Sequence, residues 1–205
     1  MRGVALAARR ARGALIGLTI VALAACVTAP PRAPTPSALA WSQRLAALQA
    51  ISRFSLQGRL AATNGSEGFS AGLRWQQQAA QASIDLSAPL GFGAAHIEQT
   101  AQGLRLTTSK GETLDDAAAA DQLRATIGFD PPLASLRYWI LGASDPASVA
   151  QEVLDPAGRL AHLEQNGWQV DYADYAPVQQ QWLPQRLTAT RGALRLRVLI
   201  EHWQL

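Results

Sequence analysis

The sequence predicts a mainly β fold with a helical lid (α+β). Its core is an open, curled antiparallel β-sheet of about ten or eleven strands, an incomplete barrel enclosing a hydrophobic cavity. Three observations lead there. Short segments that alternate apolar and polar residues recur along most of the chain. Nearly all are joined by hairpin-length connections with turn chemistry, such as Asn64-Gly65 and Asn166-Gly167. One helical segment with an apolar stripe precedes the strands and two more interrupt them. A strongly curved sheet with one apolar face must cover that face, and helices lying across it use every piece. Where the filling is incomplete, the remaining space is a dry cavity lined by Leu, Ile, Val and Trp.

The chain begins with a segment outside the fold. Arg2, Arg9, Arg10 and Arg12 form a basic start, and Gly13 to Ala25 is an apolar run too short for a stable membrane span. It ends in Leu23-Ala24-Ala25-Cys26, small residues followed by the single cysteine. This resembles a bacterial lipoprotein signal, in which residues 1–25 are removed and Cys26 carries covalent acyl groups. Val27, instead of an acidic residue, follows Cys26, which by the sorting rule of enteric bacteria implies the outer membrane. Residues 26–37 form a tether containing Pro30, Pro31, Pro34 and Pro36. At roughly 3.1 Å per residue, ten such residues reach about 30 Å. Residues 38–205 are one domain, with enough chain for a substantial core.

The leader also changes the charge argument. Four of the 18 basic side chains precede Cys26, leaving 14 against 15 acidic ones and a net charge near −1. The basic balance of the whole chain therefore does not point to nucleic acid. No cysteine remains for a disulfide or a thiolate metal site.

Taken in order, Ser37 caps a helix running to about Ala50, with Trp41, Leu45 and Leu48 on one face. Phe54, Leu56, Leu60 and Ala62 alternate with polar or small residues, as do Phe69, Ala71, Leu73 and Trp75. The next strand sets Ala82, Ile84 and Leu86 against Ser83, Asp85 and Ser87. It runs into Ala88-Pro89-Leu90-Gly91, where Pro89 fixes φ and Gly91 permits positive φ, and a further apolar-leaning run reaches Ile97. Leu90 thus sits at a turn tip with no core to enter. A short strand spans Leu104 to Thr107. Asp115-Asp116 then opens an alanine-rich helix to Ile127, stopped by Gly128. After Pro131-Pro132 a second helix carries Leu133, Leu136, Trp139 and Ile140 and ends at Gly142. Strands return after Ala147, among them Trp168, Val170 and Tyr172, and the last sets Leu194, Leu196, Val198 and Ile200 opposite Arg195, Arg197 and Glu201.

Catalytic and metal chemistry find little support. Asp115-Asp116 reads as helix capping, because adjacent helical residues point in different directions. His96, His162 and His202 are scattered along strands without a nucleophile elbow, and there is no phosphate-binding glycine loop. Catalytic residues, metal ligands and cofactors beyond the lipid on Cys26 are therefore expected to be none.

Several short motifs occur in a fixed order across the whole mature chain. After the lipidated cysteine and its tether come Trp41 with Arg44, Gly58-Arg59 and Trp75-Gln76-Gln77. Pro89-Leu90-Gly91, Trp139-Ile140-Leu141-Gly142, Asn166-Gly167-Trp168 and Trp203 complete the series. In this the chain resembles the LolB family of outer-membrane lipoproteins, which receive other lipoproteins and place them in the membrane. The resemblance implies an open barrel with a helical lid, and a projecting hydrophobic residue that falls on Leu90. It implies a lipid-anchored, periplasm-facing receptor that takes acylated lipoproteins from a LolA-like carrier and delivers them to outer-membrane lipid. Trp41, Trp75, Trp139, Trp168 and Trp203 are the candidates for cavity or lid lining. A monomer is expected, since no second greasy surface remains once lid and tip are assigned. The alternative is a lipid-binding or structural outer-membrane lipoprotein without insertion activity. The alanine-rich helix and the stretch from Gln179 to Trp182 depart from the family pattern.

Overall fold

The alternating segments become eleven strands of one antiparallel sheet. The computed structural model describes residues 41–88, 94–127, 129 and 131–205. Helix α1 (Trp41–Gln49) leads into β1 (Arg53–Asn64), β2 (Glu67–Gln78), β3 (Gln81–Ser87), β4 (Ala94–Thr100), β5 (Gly103–Thr108) and β6 (Thr113–Asp115). Helices α2 (Asp116–Ile127) and α3 (Leu133–Trp139) follow. Then come β7 (Ala150–Leu154), β8 (Leu160–Gln165), β9 (Trp168–Val178), β10 (Gln181–Arg191) and β11 (Leu194–Gln204). The spatial order is β6-β5-β4-β3-β2-β1-β11-β10-β9-β8-β7. Strands consecutive in the chain pair with one another, except β6 and β7, and the first strand also pairs with the last. Among the described residues the sheet therefore ends at β6 and β7, which fall in mid-chain, where the two helices are inserted.

Alternation decides which side chains enter the core. On β1, Phe54, Leu56 and Ala62 are buried, and on neighbouring β11 so are Leu196, Val198 and Ile200, with Ala62 facing Leu196 and Leu60 facing Val198. The register shifts between Gln57 and Gly58, a bulge that bends the sheet. Gly58 suits the position because a Cβ there would overlap the Leu199 carbonyl oxygen. Beyond the bulge Trp203 faces Leu56, and its ring packs 5.7 Å from that of Phe54.

Helix α1 lies against the β7–β10 half of the sheet. Trp41 Nε1 donates to Glu152 on β7, and Arg44 Nη2 donates to the Trp182 carbonyl on β10 at 2.8 Å. Gln49 Nε2 reaches the Ser144 carbonyl at 2.9 Å, and Leu48 is buried. The proposed cap at Ser37 and the stop at Gly128 lie outside the described residues. One expectation needs correction. The described hydrogen bonds of Asp115 and Asp116 go to β5, not to the helix's own N–H groups. Asp115 Oδ1 accepts from Arg105 Nε at 2.8 Å, and Asp116 Oδ1 accepts from the Leu104 backbone N–H at 3.1 Å. Asp115 thus ties β6 to β5, while Asp116, with φ of 47°, fastens the start of α2 to the sheet.

Candidate functional site: an apolar chamber beneath a helix

The chamber follows from the alternation of β1 to β4 and β11. Leu60, Leu73, Trp75, Ile84, Leu86 and Ile97 form its floor, together with Leu196 and Val198. Its roof is the segment leading into α3 and the helix itself: Phe129, Pro131, Leu133, Leu136 and Ile140. Leu133, Leu136 and Ile140 share one helix face by their three- and four-residue spacing. Among the described residues the exposed wall of the remaining space is entirely apolar, and its volume is about 30 Å³. That is room for a body the size of a water molecule, far below an acyl chain. The roof side chains occupy the place a ligand would take, so the chamber is closed here.

A buried polar cluster holds the roof in register. Gln165, on β8, is 2 % exposed although it shares strand parity with buried Leu163. Its Oε1 accepts from Trp139 Nε1 at 2.8 Å and from the Asp145 backbone N–H at 2.9 Å. Its Nε2 donates to the carbonyls of Asp145 and Ser148 at 2.8 and 2.9 Å. Ser135 Oγ donates to Asp145 Oδ2 at 2.7 Å and accepts from Asn166 Nδ2 at 3.1 Å. Both ends of α3 are thus tied to the end of β8 and the turn after it, and every polar atom of the Gln165 amide is paired.

The five tryptophans fall in different places. Trp75 lines the chamber, and its Nε1 donates to Gln77 Oε1 at 3.0 Å. Trp139 closes the C-terminal end of α3, fully buried against Trp168 with ring centroids 6.2 Å apart. Trp168 also meets Phe129 at 5.7 Å, so these two indoles support the roof from behind. Trp41 docks α1 on β7, and Trp203 donates from Nε1 to the Pro184 carbonyl at 3.1 Å. Neither of these two lines the chamber. Pro89, Leu90 and Gly91 lie outside the described residues, as does Cys26. The strands that frame the loop do not: Ser87 pairs with Ala94 across its base.

The outer face is polar. His96 Nδ1 lies 2.7 Å from Asp85 Oδ1, with Glu98 on its other nitrogen, and His162 is held alike by Asp171 and Glu164. The hydrogen bond to Asp85 raises the His96 pKa above the ordinary imidazole value, and the bond to Asp171 does the same for His162. Carboxylates therefore engage both nitrogens of each ring. Arg59 pairs with Glu201 at 3.1 Å.

Phe129, Pro131 and Gln165 were not singled out from the sequence. Gln165 left a trace: a glutamine on the apolar parity of a strand is a buried polar group in need of partners. Phe129 and Pro131 sit between helices, where no periodicity assigns a face.

The comparisons with known proteins agree with this architecture. The family model described as "Outer membrane lipoprotein LolB" matches residues 52–203. The outer-membrane lipoprotein LolB of Nitrosococcus oceani is 36% identical over 198 residues, covering 95% of this chain and 98% of its own. That of Alkalilimnicola ehrlichii is 36% identical over 199 residues, covering 96% and 98%. Among solved structures, a LolA superfamily protein from Nitrosomonas europaea aligns with TM-score 0.51 at 8% identity, over 82% of this chain and 94% of that one. A likeness at that identity establishes the shared fold.

Proposed function

Given that the chain belongs to the LolB family of outer-membrane lipoproteins, we propose that it is an outer-membrane-anchored receptor. It accepts lipoproteins from a LolA-like periplasmic carrier and inserts them into the outer membrane. The observation that carries this reading is the chamber between the curved sheet and α3, lined by apolar side chains among the described residues. Burying each CH₂ is worth about 0.8 kcal/mol, so a bare C16 chain in water is penalised by roughly 12 kcal/mol. Opening the roof exposes Phe129, Leu136 and Ile140, each nearly buried, at about 1.5–3 kcal/mol apiece. An entering acyl chain offsets that cost, so the cargo itself drives the opening. No bond is made or broken; transfer runs down a gradient of affinity from carrier to receptor to bilayer.

The acyl groups on Cys26 supply the anchor, and residues 26–37 let the domain tilt toward the membrane. The loop with Pro89, Leu90 and Gly91 meets the lipid. Leu90 contributes about 1.5–3 kcal/mol there, enough to orient the domain and too little to hold it. The test uses the mature chain from residue 26 with Cys26→Ala, loaded by a lipoprotein-bearing carrier and offered liposomes. Leu90→Glu is expected to keep acceptance of cargo and to impair its release into the vesicles. Normal release by that variant would remove Leu90 from the mechanism.

The small volume of the closed chamber favours a second reading, a structural or general lipid-binding lipoprotein whose roof never lifts. A photoreactive acyl chain on the cargo separates the two. Cross-links to Trp75 and Leu136 support the receptor, and their absence in a loaded complex supports the alternative.

A further inference from the structure

The outer face of the sheet carries a feature that the acyl chamber does not use. From Arg186 to Arg197 the hairpin of β10 and β11 contains four arginines and no acidic residue. Strand parity places Arg186, Arg195 and Arg197 on the outer side, since the residues between them are buried. The register carries this row onto β1 and β2, where it meets the smallest side chains of the sheet. Arg197 faces Ala61, Ala61 faces Ser70, and Arg59 faces Gly72. Small residues flanked by long cations make a trough. One part, about 690 Å³, is bounded by Arg59, Arg186 and Arg197 and reaches Ser87 and Ala88. A second part, about 380 Å³, shares Ala61 and Arg197 with it and continues past Arg195 to Gly192.

Two of the cations are already steadied by a carboxylate: Arg59 by Glu201 at 3.1 Å and Arg186 by Asp174 at 3.0 Å. Arg195 and Arg197 stand opposite Thr63 and Ala61 on β1 and opposite Thr190 and Thr188 on β10, with no carboxylate facing them from either strand. Hydroxyls and guanidinium groups around a floor without bulk suit a phosphate oxyanion approached from outside. The trough ends at Ala88, where the chain enters the loop that contains Leu90.

We propose that this trough binds the phosphodiester headgroup of an anionic phospholipid at the membrane surface. The proposal rests on the reading that the adjoining loop meets lipid, and it adds a polar contact of defined chemistry beside the apolar one. An acyl tail then lies in the bilayer by Leu90 while its headgroup is held on the outer face of β1, β10 and β11.

The test measures flotation of the mature chain from residue 26, with Cys26→Ala, on phosphatidylcholine vesicles with and without phosphatidylglycerol. The parent is expected to prefer the anionic vesicles. Arg195→Gln with Arg197→Gln should weaken that binding by about 30-fold, from the effect of two cations near an anionic surface. The charge-matched control, Arg53→Gln with Lys110→Gln, two exposed cations outside the trough, should float nearly as the parent does. In NMR titrations, short-chain phosphatidylglycerol should shift the amides of Ala61 and Thr188 at concentrations where inorganic phosphate leaves them in place. Equal binding to both vesicle types, equal loss in the two double variants, or the same shifts with inorganic phosphate would each overturn the proposal. Cargo acceptance from the carrier is measured without vesicles, so a failure here is distinguishable from a failure of the receptor reading.

Discussion

Replacing Leu136 by alanine separates the stability of the closed roof from its capacity to open. Leu136 lies on α3, 3 % exposed, in the wall of the chamber. Truncating a buried leucine costs about 2–5 kcal/mol of folding stability, through lost transfer energy and the void left behind. Once the roof has lifted, the side chain no longer makes those contacts. The difference between closed and open states therefore falls by about 1.5–3 kcal/mol, the burial term alone. If an acyl chain enters only the open state, its apparent Kd tightens by the same factor, roughly 10- to 160-fold. A fluorescent C16 fatty acid titrated into parent and L136A reads the affinity, and urea unfolding of the same samples reads the stability. L136A should unfold at lower urea while binding the probe more tightly. A variant that is destabilised as expected yet binds no more tightly would refute the view that α3 is displaced by the ligand.

Two further outcomes follow from the polar contacts. Gln165→Leu strands the Trp139 indole N–H and the Asp145 backbone N–H in the interior, a loss of about 2–6 kcal/mol at 1–3 per donor, read as a lowered urea midpoint. His96 and His162 have folded pKa values raised by their carboxylate partners, so their stabilisation is full below the unfolded value of about 6.5 and is lost as pH rises through the raised folded values. The imidazoles are 38% and 32% exposed, so the effect is modest. The double variant H96Q/H162Q should show a smaller fall in urea midpoint than the parent across that interval.

Much of the fold was legible because its signals are local. Phe54, Leu56, Leu60 and Ala62 declare their face by alternation, and turns such as Asn166-Gly167 declare the hairpins. A run of hairpin-linked strands with a few amphipathic helices then leaves few ways to cover one apolar face. What the sequence hid depends on contacts between distant segments. The pairing of β1 with β11 has no local mark, and neither does the capture of Trp139 by Gln165. Asp115 and Asp116 carry a helix-start signature, yet Arg105 and the Leu104 amide claim them because β5 lies alongside. The five tryptophans look alike in sequence; only the placement of α3 and α1 separates Trp75 at the chamber wall from Trp41 and Trp203 beyond it.

The union of the first and last strands has a consequence for assembly. A chain emerging amino terminus first can zip β1 through β6 by short-range hairpins as they appear. The outer rim of β1 then waits, its amides and carbonyls unmet, until residues beyond Leu194 arrive to close it. Until that moment the half-made sheet offers a sticky border to any other extended polypeptide. Arrival of the final dozen residues in the folding compartment is thus the commitment step. Truncations shaving only the carboxyl end should yield insoluble material out of proportion to the few side chains removed.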